Sequence, residues 1–576
     1  MNYKLKHNLS HTDRFPLESL LMAQGIENIE GYINPSSDYE QSPYDLENIK
    51  EAAMLLFDEM EKNSKTLLVV DADCDGFCSS AILWLYIKNF WPEANLHYVC
   101  HENKAHGLDD IIDDIEESDY DLVICPDASS FDYTEHERLA KVGKKVLVLD
   151  HHSAPRYSEN AVVVNNQLSP NYHNKGLCGA GIVYRFCQVM DDIMGEPHSD
   201  KYTDLCALAN IADCMSPKNL ETRYYIHKGL NNIVNDGFKA LIKQQEFSLF
   251  RNSRDLNYIK IAFYIAPLIN AIVRVGTMKE KNDLFELFIN PNIMVQSDKR
   301  GAKVGEMETL ATQVARKAAN ARSRQNRTKD KAVDLLDCRI HKYDLLEHKI
   351  IVIEVNEKDG IPQELTGLLA TQFVNKYSRP CLIVRRNSEG YLRGSMRGNE
   401  NFSEVPNLQK FLLDSNVMDY CEGHHNAAGV SIHESKLEDL LEYADTTISD
   451  AGLENTYYVD YIFNYNESFA ALALALTEQE NIWGNDVEEP TIVVESIPLT
   501  SKDFMVMGAE KDSVKFSRNG IEYVKFKDAD FVQQLNEFNR FNITVYGRLG
   551  RNVWAGRTTP QVIIEDFDIK NTDDEF

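Results

Sequence analysis

A chain of 576 residues is too long for one compact core, and its length alone predicts about three or four domains. Its 43% hydrophobic and 26% charged residues are ordinary for a globular protein. The net charge of −30 argues against indiscriminate binding to duplex nucleic acid, although it leaves room for a local basic channel.

Three sequence features predict a cytoplasmic protein without membrane contact. No apolar run approaches the roughly 20 residues that a membrane-spanning helix needs. The opening MNYKLKHNLSHTDRF lacks the apolar core of a secretion signal. The 11 cysteines are scattered without a CxxC pair, which fits reduced thiols better than a disulfide framework or a zinc ribbon.

The first half of the chain predicts an α/β fold. Residues 1–50 are a short helical lead-in with LESLLMAQGI as an amphipathic helix, and residues 46–61 form the next helix. Short apolar strands then alternate with helical segments, which is typical of a parallel α/β sheet. The strands are TLLVV (66–70), NLHYVC (95–100), DLVIC (121–125) and KVLVLD (145–150).

The pattern from residue 277 to 340 predicts long helices. Within it, Thr309 to Lys329 carries six basic residues and no acidic one. This stretch could line a channel for a nucleic-acid strand, or it could be a solvated connector between lobes. The sequence weights the two interpretations equally.

A second α/β unit and a β-rich end complete the predicted elements. KIIVIEV (349–355) and PCLIVRR (380–386) are the strands of the second α/β unit. The last 120 or so residues contain strand-like segments between turn residues, which indicates a small β-barrel, and the closing NTDDEF is expected to be disordered. The strand-like segments are TIVVESI, DFMVMGAE, ITVYGRL and QVIIEDFDI.

Carboxylates and histidines follow several of the predicted strands and helices. Parallel strands end on one edge of their sheet, where ligands bind, so these side chains are expected to converge there. Independent turns and caps at every position would require several coincidences. The residues are Asp71, Asp73, Asp75, Asp127, the triplet Asp150-His151-His152, and Asp213.

The donor types predict the metal. Carboxylate oxygen and imidazole suit Mn²⁺ or Mg²⁺ rather than a thiolate-selected ion. About five carboxylates and two histidines would hold two ions, which can activate a water and neutralise the charge on a phosphate. Cys74 and Cys78 lie nearby and are interpreted as packing residues.

Three glycine-containing segments are weaker candidates for phosphate binding. Small residues permit close backbone approach, and arginine binds phosphate with two hydrogen bonds. A structural turn is the more common explanation for each segment taken alone. The segments are Cys178–Gly181, Arg393–Gly398 and Glu422–Gly429.

Together these motifs resemble the DHH–DHHA1 phosphoesterase superfamily, and within it the RecJ-like single-strand-specific exonucleases. The resemblance extends almost from end to end, and the DHH triplet with GHxxAAG is a specific combination. It is carried by Asp71–Gly76, Asp127, Asp150-His151-His152, Asp213, Asn270-Ala271 with Arg274, and Gly423–Gly429.

The resemblance implies an architecture of five parts. A parallel-sheet DHH domain and a smaller α/β DHHA1 domain are joined by a long helix, and an oligonucleotide-binding (OB) barrel follows. The expected boundaries are 1–50 for the lead-in, 51–276 for DHH, 277–345 for the connector, 346–454 for DHHA1 and 455–576 for the barrel.

The resemblance also implies roles. His152 would contact the scissile phosphate, with Asp71 and Asp150 orienting their neighbours. Arg274 would face the substrate path. The metal ligands would be Asp73, Asp75, Asp127, His151 and Asp213, and the second-domain phosphate contacts would be Ser395, Arg397, Gly423 and His424.

The implied activity is 5′-to-3′ digestion of single-stranded DNA to mononucleotides, in DNA repair, recombination or replication. RNA remains an open second substrate, and single-strand-binding or replication proteins are the expected partners. Two alternatives stay open: a phosphodiesterase on short oligoribonucleotides or cyclic dinucleotides, and a non-catalytic single-strand-binding replication factor. Tyr546 and Trp554 could stack on bases or pack the barrel core.

The chain departs from the family pattern at three places. Glu422 stands where the family has a first glycine before its second-domain histidine. Asp127-Ala128-Ser129 replaces aspartate, a small residue and glycine, and Gly398 stands where a hydroxyl is expected. These departures concern the binding of the strand end rather than the metal centre.

Overall fold

The computed structural model describes residues 1–102, 106–250, 255–454, 456–554 and 556–572, without the side chain of Trp554. The chain divides into two compact units. The parallel-sheet unit comprises Gln24–Arg324 and Glu480–Glu488. The composite unit comprises Met1–Ala23, Gln325–Gln479 and Glu489–Phe576.

A five-stranded sheet in which all strands are parallel forms the centre of the parallel-sheet unit; the parallel order and four of its strands are as predicted. Its apolar strands are buried on both faces, because helices cover each side. Leu68 and Leu147 belong to one core cluster, whereas Leu67 and Val146 belong to the other. In sheet order the strands are Leu96–Cys100, Thr66–Val70, Leu122–Pro126, Lys145–Asp150 and Val162–Asn165.

Helices supply the remainder of this unit. The main ones are Ile49–Glu61, Cys74–Phe90, Ile112–Glu117, Tyr133–Lys141, Gly179–Met194, Thr203–Ala212, Leu220–Asn231, Asp236–Gln244, Ala266–Val275 and Met278–Ile289. A short hairpin of Met294–Gln296 and Met307–Thr309 follows them, inside a stretch that was expected to be helical.

One continuous helical run departs from the expectation about membrane-spanning length. Tyr258–Val275 is 18 residues long with a mean hydropathy of 1.5, which is long and apolar enough to cross a membrane. Half of it is buried inside the protein, as in a core helix. A π-turn at Ile261–Ile265 separates its short first segment, Tyr258–Lys260, from the α-helix Ala266–Val275.

The long connecting helix is present as Leu310–Lys342. Within the parallel-sheet unit, Arg316 pairs with Asp298 and Glu308, and Lys317 pairs with Asp283. Arg324 pairs with Glu280. Three of the six basic side chains thus neutralise carboxylates of the same unit, which favours a connector over a channel lining for this part of the helix.

A mixed five-stranded sheet is the first half of the composite unit. Three of its strand pairs are antiparallel, and the pair Cys381–Arg386 with Ile351–Glu354 is parallel. Helices Thr366–Tyr377, Leu408–Asp414 and Leu437–Thr447 accompany it. In sheet order the strands are Tyr420–His424, Ala427–His433, Tyr391–Arg397, Cys381–Arg386 and Ile351–Glu354.

A seven-stranded sheet forms the second half of the composite unit and contains the four strand-like segments predicted there. Helices Ala470–Leu476 and Ala529–Asn536 interrupt its strands along the chain. In sheet order the strands are Tyr461–Asn464, Thr491–Thr500, Arg540–Trp554, Arg557–Asn571, Ile521–Lys525, Ser513–Arg518 and Phe504–Met507. The last residues, 573–576, for which disorder was predicted, lie outside the described residues.

Two segments pair far from their neighbours in sequence. Asn2–Leu5 is a strand, not a helix, and pairs in parallel with Thr456–Val459. The segment Glu480–Glu488, which we call the strap, belongs to the parallel-sheet unit although it interrupts the C-terminal region. Backbone oxygens of the strap accept hydrogen bonds from Tyr32 Oη (2.5 Å, to Ile482) and Arg223 Nη1 (3.0 Å, to Asn481).

Candidate metal centre

The carboxyl ends of three neighbouring parallel strands place the central carboxylates. Asp71 follows Thr66–Val70, Asp127 follows Leu122–Pro126, and Asp150 ends the strand Lys145–Asp150. These strands are adjacent in the sheet, so their ends share one edge. The three carboxylates are at most 1% exposed.

The acidic loop after Thr66–Val70 is held by its own helix. Asp73 caps the helix Cys74–Phe90, and its Oδ1 accepts a hydrogen bond from the Gly76 amide at 3.0 Å. A Cβ on Gly76 would lie 2.5 Å from the Cβ of Asp71, so only glycine permits this close approach. The motif therefore packs two carboxylates against one turn.

A second helix N-terminus fixes Asp75. The amides of Gly179 and Ala180, which begin the helix Gly179–Met194, donate to the Asp75 carboxylate at 2.7 and 2.8 Å. The positive end of the helix favours the charged carboxylate. These two amides, which were considered for phosphate binding, are therefore engaged by an acidic side chain of the centre itself.

The turn after Leu122–Pro126 is conformationally demanding. Asp127 and Ser129 adopt φ values of +65° and +83°, in the region that favours glycine. The Ser129 hydroxyl donates to Asp132 at 2.7 Å and lies 3.1 Å from Nε2 of His136. These contacts explain how serine occupies the position where the family pattern has glycine.

His151 and Asp213 complete the cluster. Nε2 of His151 lies 3.3 Å from Asp127 Oδ1, 3.5 Å from Asp213 Oδ2 and 3.8 Å from Asp75 Oδ2. Three overlapping triplets have donor atoms within 4.8 Å of one another, and together they include all five expected ligands. The triplets are Asp127–His151–His152, Asp75–His151–Asp213 and Asp71–Asp73–Asp127.

Burial opposes charge on four carboxylates and on one imidazole of this cluster. It raises the pKa of Asp71 and Asp75, and together with the neighbouring carboxylates it raises the pKa of Asp127 well above its ordinary value. Burial, with repulsion from Asp75 and Asp73, raises the pKa of Asp213 to about 8. Burial also lowers the pKa of His151, so the imidazole favours its neutral, ligand-competent form.

The donor set fits a divalent cation. Asp71 Oδ1 and Asp127 Oδ1 are buried and receive no hydrogen bond from the residues that the structure describes. Unpaired buried oxygens are costly unless a positive charge compensates them. Carboxylate oxygen with imidazole is the set that suits Mn²⁺ or Mg²⁺, and the centre could hold such ions through Asp71, Asp73, Asp75, Asp127, His151 and Asp213.

Asp150 positions His152. Its Oδ1 contacts His152 Nδ1 at 2.8 Å and accepts hydrogen bonds from the amides of His151 and His152. Its Oδ2 accepts from the Ser130 amide at 3.0 Å. Burial alone would raise the pKa of Asp150 and lower that of His152, but their mutual contact lowers the first and raises the second to about 9.

His106 is a site residue that the sequence analysis missed. Its Nδ1 lies 2.6 Å from Asp71 Oδ2, and its ring centre is 6.5 Å from that of His152. The Leu108 amide donates to Asp132 at 2.9 Å and thereby ties this loop to the Ser129 turn. The available signal was the position of His106 after the strand Leu96–Cys100, a neighbour at the same sheet edge.

A cavity of about 130 Å³ adjoins the acidic cluster. Asp73, Asp75 and Asp213 line it on one side, and Asn270 and Arg274 line it from the helix Ala266–Val275. Burial lowers the pKa of Arg274, and the nearby Asp73 carboxylate opposes that shift. Arg274 thus stands within the same site, where its charge can meet an anionic ligand.

The second-domain residues form a separate group in the composite unit. Ser395 pairs in register with Gly429, and Arg397 pairs with Ala427 across the strand Tyr391–Arg397. His424 pairs with the same Ala427 from the opposite strand. The antiparallel register thus places Ser395 and Arg397 on one strand and Gly423 and His424 on another, with the strand Ala427–His433 between them.

The hairpin Tyr420–His433 is open to solvent at its tip. Gly423, His424 and His425 are exposed and line an open cavity of about 450 Å³. Gly423 has φ = +134°, and a Cβ there would lie 2.8 Å from Ala427 O. Glycine is therefore required at 423, whereas Glu422 is an exposed strand position that tolerates a side chain.

Two aromatic residues of the C-terminal sheet, Tyr546 and Trp554, are candidates for base stacking, and the structure describes the side chain of only the first. Tyr546 stacks on Tyr457 with ring centres 4.1 Å apart, which favours internal packing over base stacking. Trp554 has a side chain outside the described part of the chain.

Sequence models of three protein families match the chain. The DHH family N-terminal domain matches residues 65–210, the DHHA1 domain matches 347–450, and the RecJ OB domain matches 463–566. These matches agree with the parallel sheet, the mixed sheet and the C-terminal sheet, respectively. They confirm the predicted fold class.

Two relatives from Bacillus subtilis (strain 168) match nearly the whole chain. A protein named as a putative SPbeta prophage-derived single-strand DNA-specific exonuclease, YorK, is 35% identical over 565 residues, covering 97% of this chain and 96% of the relative. The single-stranded-DNA-specific exonuclease RecJ is 22% identical over 566 residues, covering 95% of this chain and 67% of that protein.

Solved structures share the fold. RecJ of Thermus thermophilus in complex with Mn²⁺ superposes with a TM-score of 0.71 at 19% identity, covering 97% of this chain and 76% of that one. Its Mg²⁺ complex gives 0.65, with 97% and 75% covered. The three domain matches and the relative at 35% identity place this chain in the DHH–DHHA1 phosphoesterase superfamily, as a member of the RecJ-like single-strand-specific exonuclease family.

Proposed function

We propose that this protein is a metal-dependent exonuclease that hydrolyses phosphodiester bonds of single-stranded DNA from the 5′ end and releases mononucleotides. The observation that carries the proposal is the cluster of six buried or half-buried carboxylate and imidazole donors beside His152 at one sheet edge. The chain's membership of the RecJ-like family indicates single-stranded DNA as the substrate class. A cytoplasmic location and a role in DNA repair, recombination or replication belong to the same proposal.

The residues that would hold Mn²⁺ or Mg²⁺ are Asp73, Asp75, Asp127, His151 and Asp213, and Asp71 contributes to the same oxygen-rich surface. Two bound ions would lower the pKa of a water and neutralise charge on the scissile phosphate. The chain's own share is to hold the carboxylates in place through the Gly76, Gly179 and Ala180 amides.

His152 would contact the scissile phosphate. Asp150 engages its Nδ1, so Nε2 is left as the donor to a phosphate oxygen. Arg274 would neutralise the phosphate from the cavity side, because it shares that cavity with Asp73 and Asp213. Ser395, Arg397, Gly423 and His424 would bind further phosphates of the strand on the composite unit.

End-labelled substrates test this proposal directly. The full chain should degrade linear single-stranded DNA with Mn²⁺ or Mg²⁺, and EDTA should abolish the activity. A 5′ label should appear in mononucleotides at the earliest times, and blunt duplexes and closed single-stranded circles should resist. Rapid cutting of circles would instead identify an endonuclease.

The same assay separates the alternatives. Faster hydrolysis of short oligoribonucleotides or cyclic dinucleotides than of long DNA would favour the small-substrate phosphodiesterase. Strand binding without hydrolysis under any metal would favour the non-catalytic factor.

A further inference from the structure

The helical run Tyr258–Val275 presents two exposed aromatic rings that the centre itself does not use. Phe263 is 65% exposed and Tyr264 is 36% exposed. Neither ring stacks on another aromatic side chain in the part of the chain that the structure describes. Single exposed apolar side chains are common on protein surfaces, so the position of these two rings, on the run that leads to the metal-centre cavity, is what distinguishes them.

A π-turn presents both rings. Phe263 and Tyr264 lie within Ile261–Ile265, where the helix widens before the α-helix Ala266–Val275 begins. Such turns re-aim side chains and often occur at functional sites. In the parallel-sheet unit, Arg322 Nη2 donates to the Phe263 carbonyl at 3.0 Å, so a cationic side chain lies beside the rings and fixes the turn.

The rings share one face of the run with the residues that line the metal-centre cavity. The half-buried or exposed residues of the run include Phe263, Tyr264, Pro267, Asn270 and Arg274. Phe263, Pro267, Asn270 and Arg274 follow at steps of three and four residues, which keep side chains on one helix face, and Tyr264 lies at the border of that face. Asn270 and Arg274 line the cavity, so the face that carries the aromatic pair continues into the site.

The distance sets which nucleotide could reach the pair. At a rise of about 1.5 Å per residue, Phe263 lies about 10 Å along the run from Asn270 and about 16 Å from Arg274. A stacked strand advances about 3.4 Å per nucleotide, so this span corresponds to about three to five nucleotides. A dinucleotide held at the centre would not reach the rings.

We infer that Phe263 and Tyr264 form a stacking platform for nucleobases of the single strand, about three to five nucleotides from the bond that is cut. The inference rests on the proposed function, since it assigns a further binding site to the same substrate. Stacking on an aromatic face is independent of sequence, because every base has such a face. Arg322 supplies positive charge for the adjacent phosphate.

The test compares Phe263→Ala with a matched control in the full-length protein. Phe247→Ala is the control, because Phe247 is 81% exposed on another helix of the same unit, Glu246–Leu249. With a 12-nucleotide DNA, Phe263→Ala should raise KM and the dissociation constant by about fivefold to thirtyfold, with kcat nearly unchanged. Phe247→Ala should change neither quantity, and Phe263→Trp should retain tight binding.

Short and abasic substrates locate the platform. Dinucleotide hydrolysis should be equal in wild type and Phe263→Ala. In wild type, a single abasic position about three to five nucleotides from the cut should weaken binding as much as Phe263→Ala does. In Phe263→Ala the same abasic position should have no further effect, because the two changes remove one contact.

Three results would overturn the inference: unchanged binding of the 12-nucleotide DNA by Phe263→Ala, an equal loss on dinucleotides, or full additivity with every abasic position. Melting temperatures equal to wild type establish that each variant is folded. If wild type hydrolyses no single strand, the proposed function fails by itself. Fluorescence anisotropy of the same labelled 12-nucleotide DNA then still decides whether the platform binds bases.

Discussion

The metal-centre carboxylates and the hairpin Tyr420–His433 are both expected to act on one substrate, yet they are built in opposite ways. Asp71, Asp75 and Asp127 are at most 2% exposed, and strand ends, glycine contacts and helix amides fix them. The hairpin tip is exposed and projects its imidazoles into solvent. The expected metal ligands are thus side chains that the fold forces together, whereas the expected phosphate contacts of the hairpin are side chains that the fold leaves exposed.

The difference has an energetic consequence. Crowded carboxylates repel one another and lose hydration, so the metal-free centre costs folding free energy that a bound cation recovers. An exposed histidine such as His424 incurs no such cost. Substitutions in the two regions should therefore separate stability effects from substrate effects.

The largest effect is expected for Asp127→Asn, which keeps the shape and removes a buried charge. Hydrolysis should fall by more than about 100-fold. Loss of a residue that only orients a metal ligand costs at most about 100-fold, and loss of a ligand itself should cost more. The metal-free variant should melt no lower than wild type, and the increase in melting temperature on adding Mn²⁺ should disappear. Calorimetry with and without Mn²⁺ measures both effects.

Asp58→Asn, at a position of the same unit away from the centre, is the control and should leave the Mn²⁺-induced increase intact. An Asp127→Asn protein that keeps the full metal-induced stabilisation would remove Asp127 from the ligand set.

A smaller loss is expected for Asp150→Asn, because Asp150 acts through His152 rather than on the metal. Its carboxylate accepts two backbone amides of the DHH triplet and contacts the His152 ring. We expect kcat to fall by about 10- to 100-fold. Unchanged kcat in steady-state kinetics would show that the orientation of His152 does not limit turnover.

On the strand Tyr391–Arg397, which pairs with the hairpin, Arg397→Ala should change substrate binding alone. Loss of a charge-assisted hydrogen bond, worth about 1.5–3 kcal/mol, would raise KM by roughly 10- to 100-fold. The Mn²⁺-induced increase in melting temperature should stay at the wild-type value. Arg386→Ala, on the neighbouring strand and paired with Glu354, is the control. Parallel losses of metal and substrate affinity would erase the contrast between the two regions.

The smallest effect is expected on the C-terminal sheet. Arg557 is exposed and borders an open cavity of about 590 Å³ with Lys515 and Asn552. Arg557→Ala should weaken binding of long strands by about twofold to fivefold and lower the salt dependence by about one phosphate contact. Binding titrations at several salt concentrations measure both quantities, with Lys502→Ala as the control. A point variant is preferable to deleting the residues after 455, because that deletion would also remove the strap from the parallel-sheet unit.

Periodicity and motif spacing predicted the elements whose sequence patterns are local, such as the buried strands of the parallel sheet. The buried strands that lead to Asp71, Asp127 and Asp150 read as continuous apolar runs, and the edge they share follows from parallel topology. The roles of the individual site residues remain predictions, although the structure brings the five expected ligands together.

What the sequence did not predict depends on contacts between distant residues. The strand Asn2–Leu5 forms only because Thr456–Val459 pairs with it. His106 lies against Asp71 in a loop that is hydrogen-bonded to Asp132, and no local sequence pattern indicates this contact. Neither the strap nor the ion pairs of Arg316, Lys317 and Arg324 has a local signal, because each partner is remote in sequence or on another element.

The strap also constrains how the protein is made on the ribosome. At about 5–20 residues per second, Glu480–Glu488 emerges about 10 to 30 s after the rest of the parallel-sheet unit has been synthesised. Until then Tyr32 and Arg223 lack the backbone oxygens that they contact in the finished protein. The first strand, Asn2–Leu5, likewise has no pairing partner until Thr456–Val459 has been synthesised. Each unit therefore completes its contacts only late in synthesis.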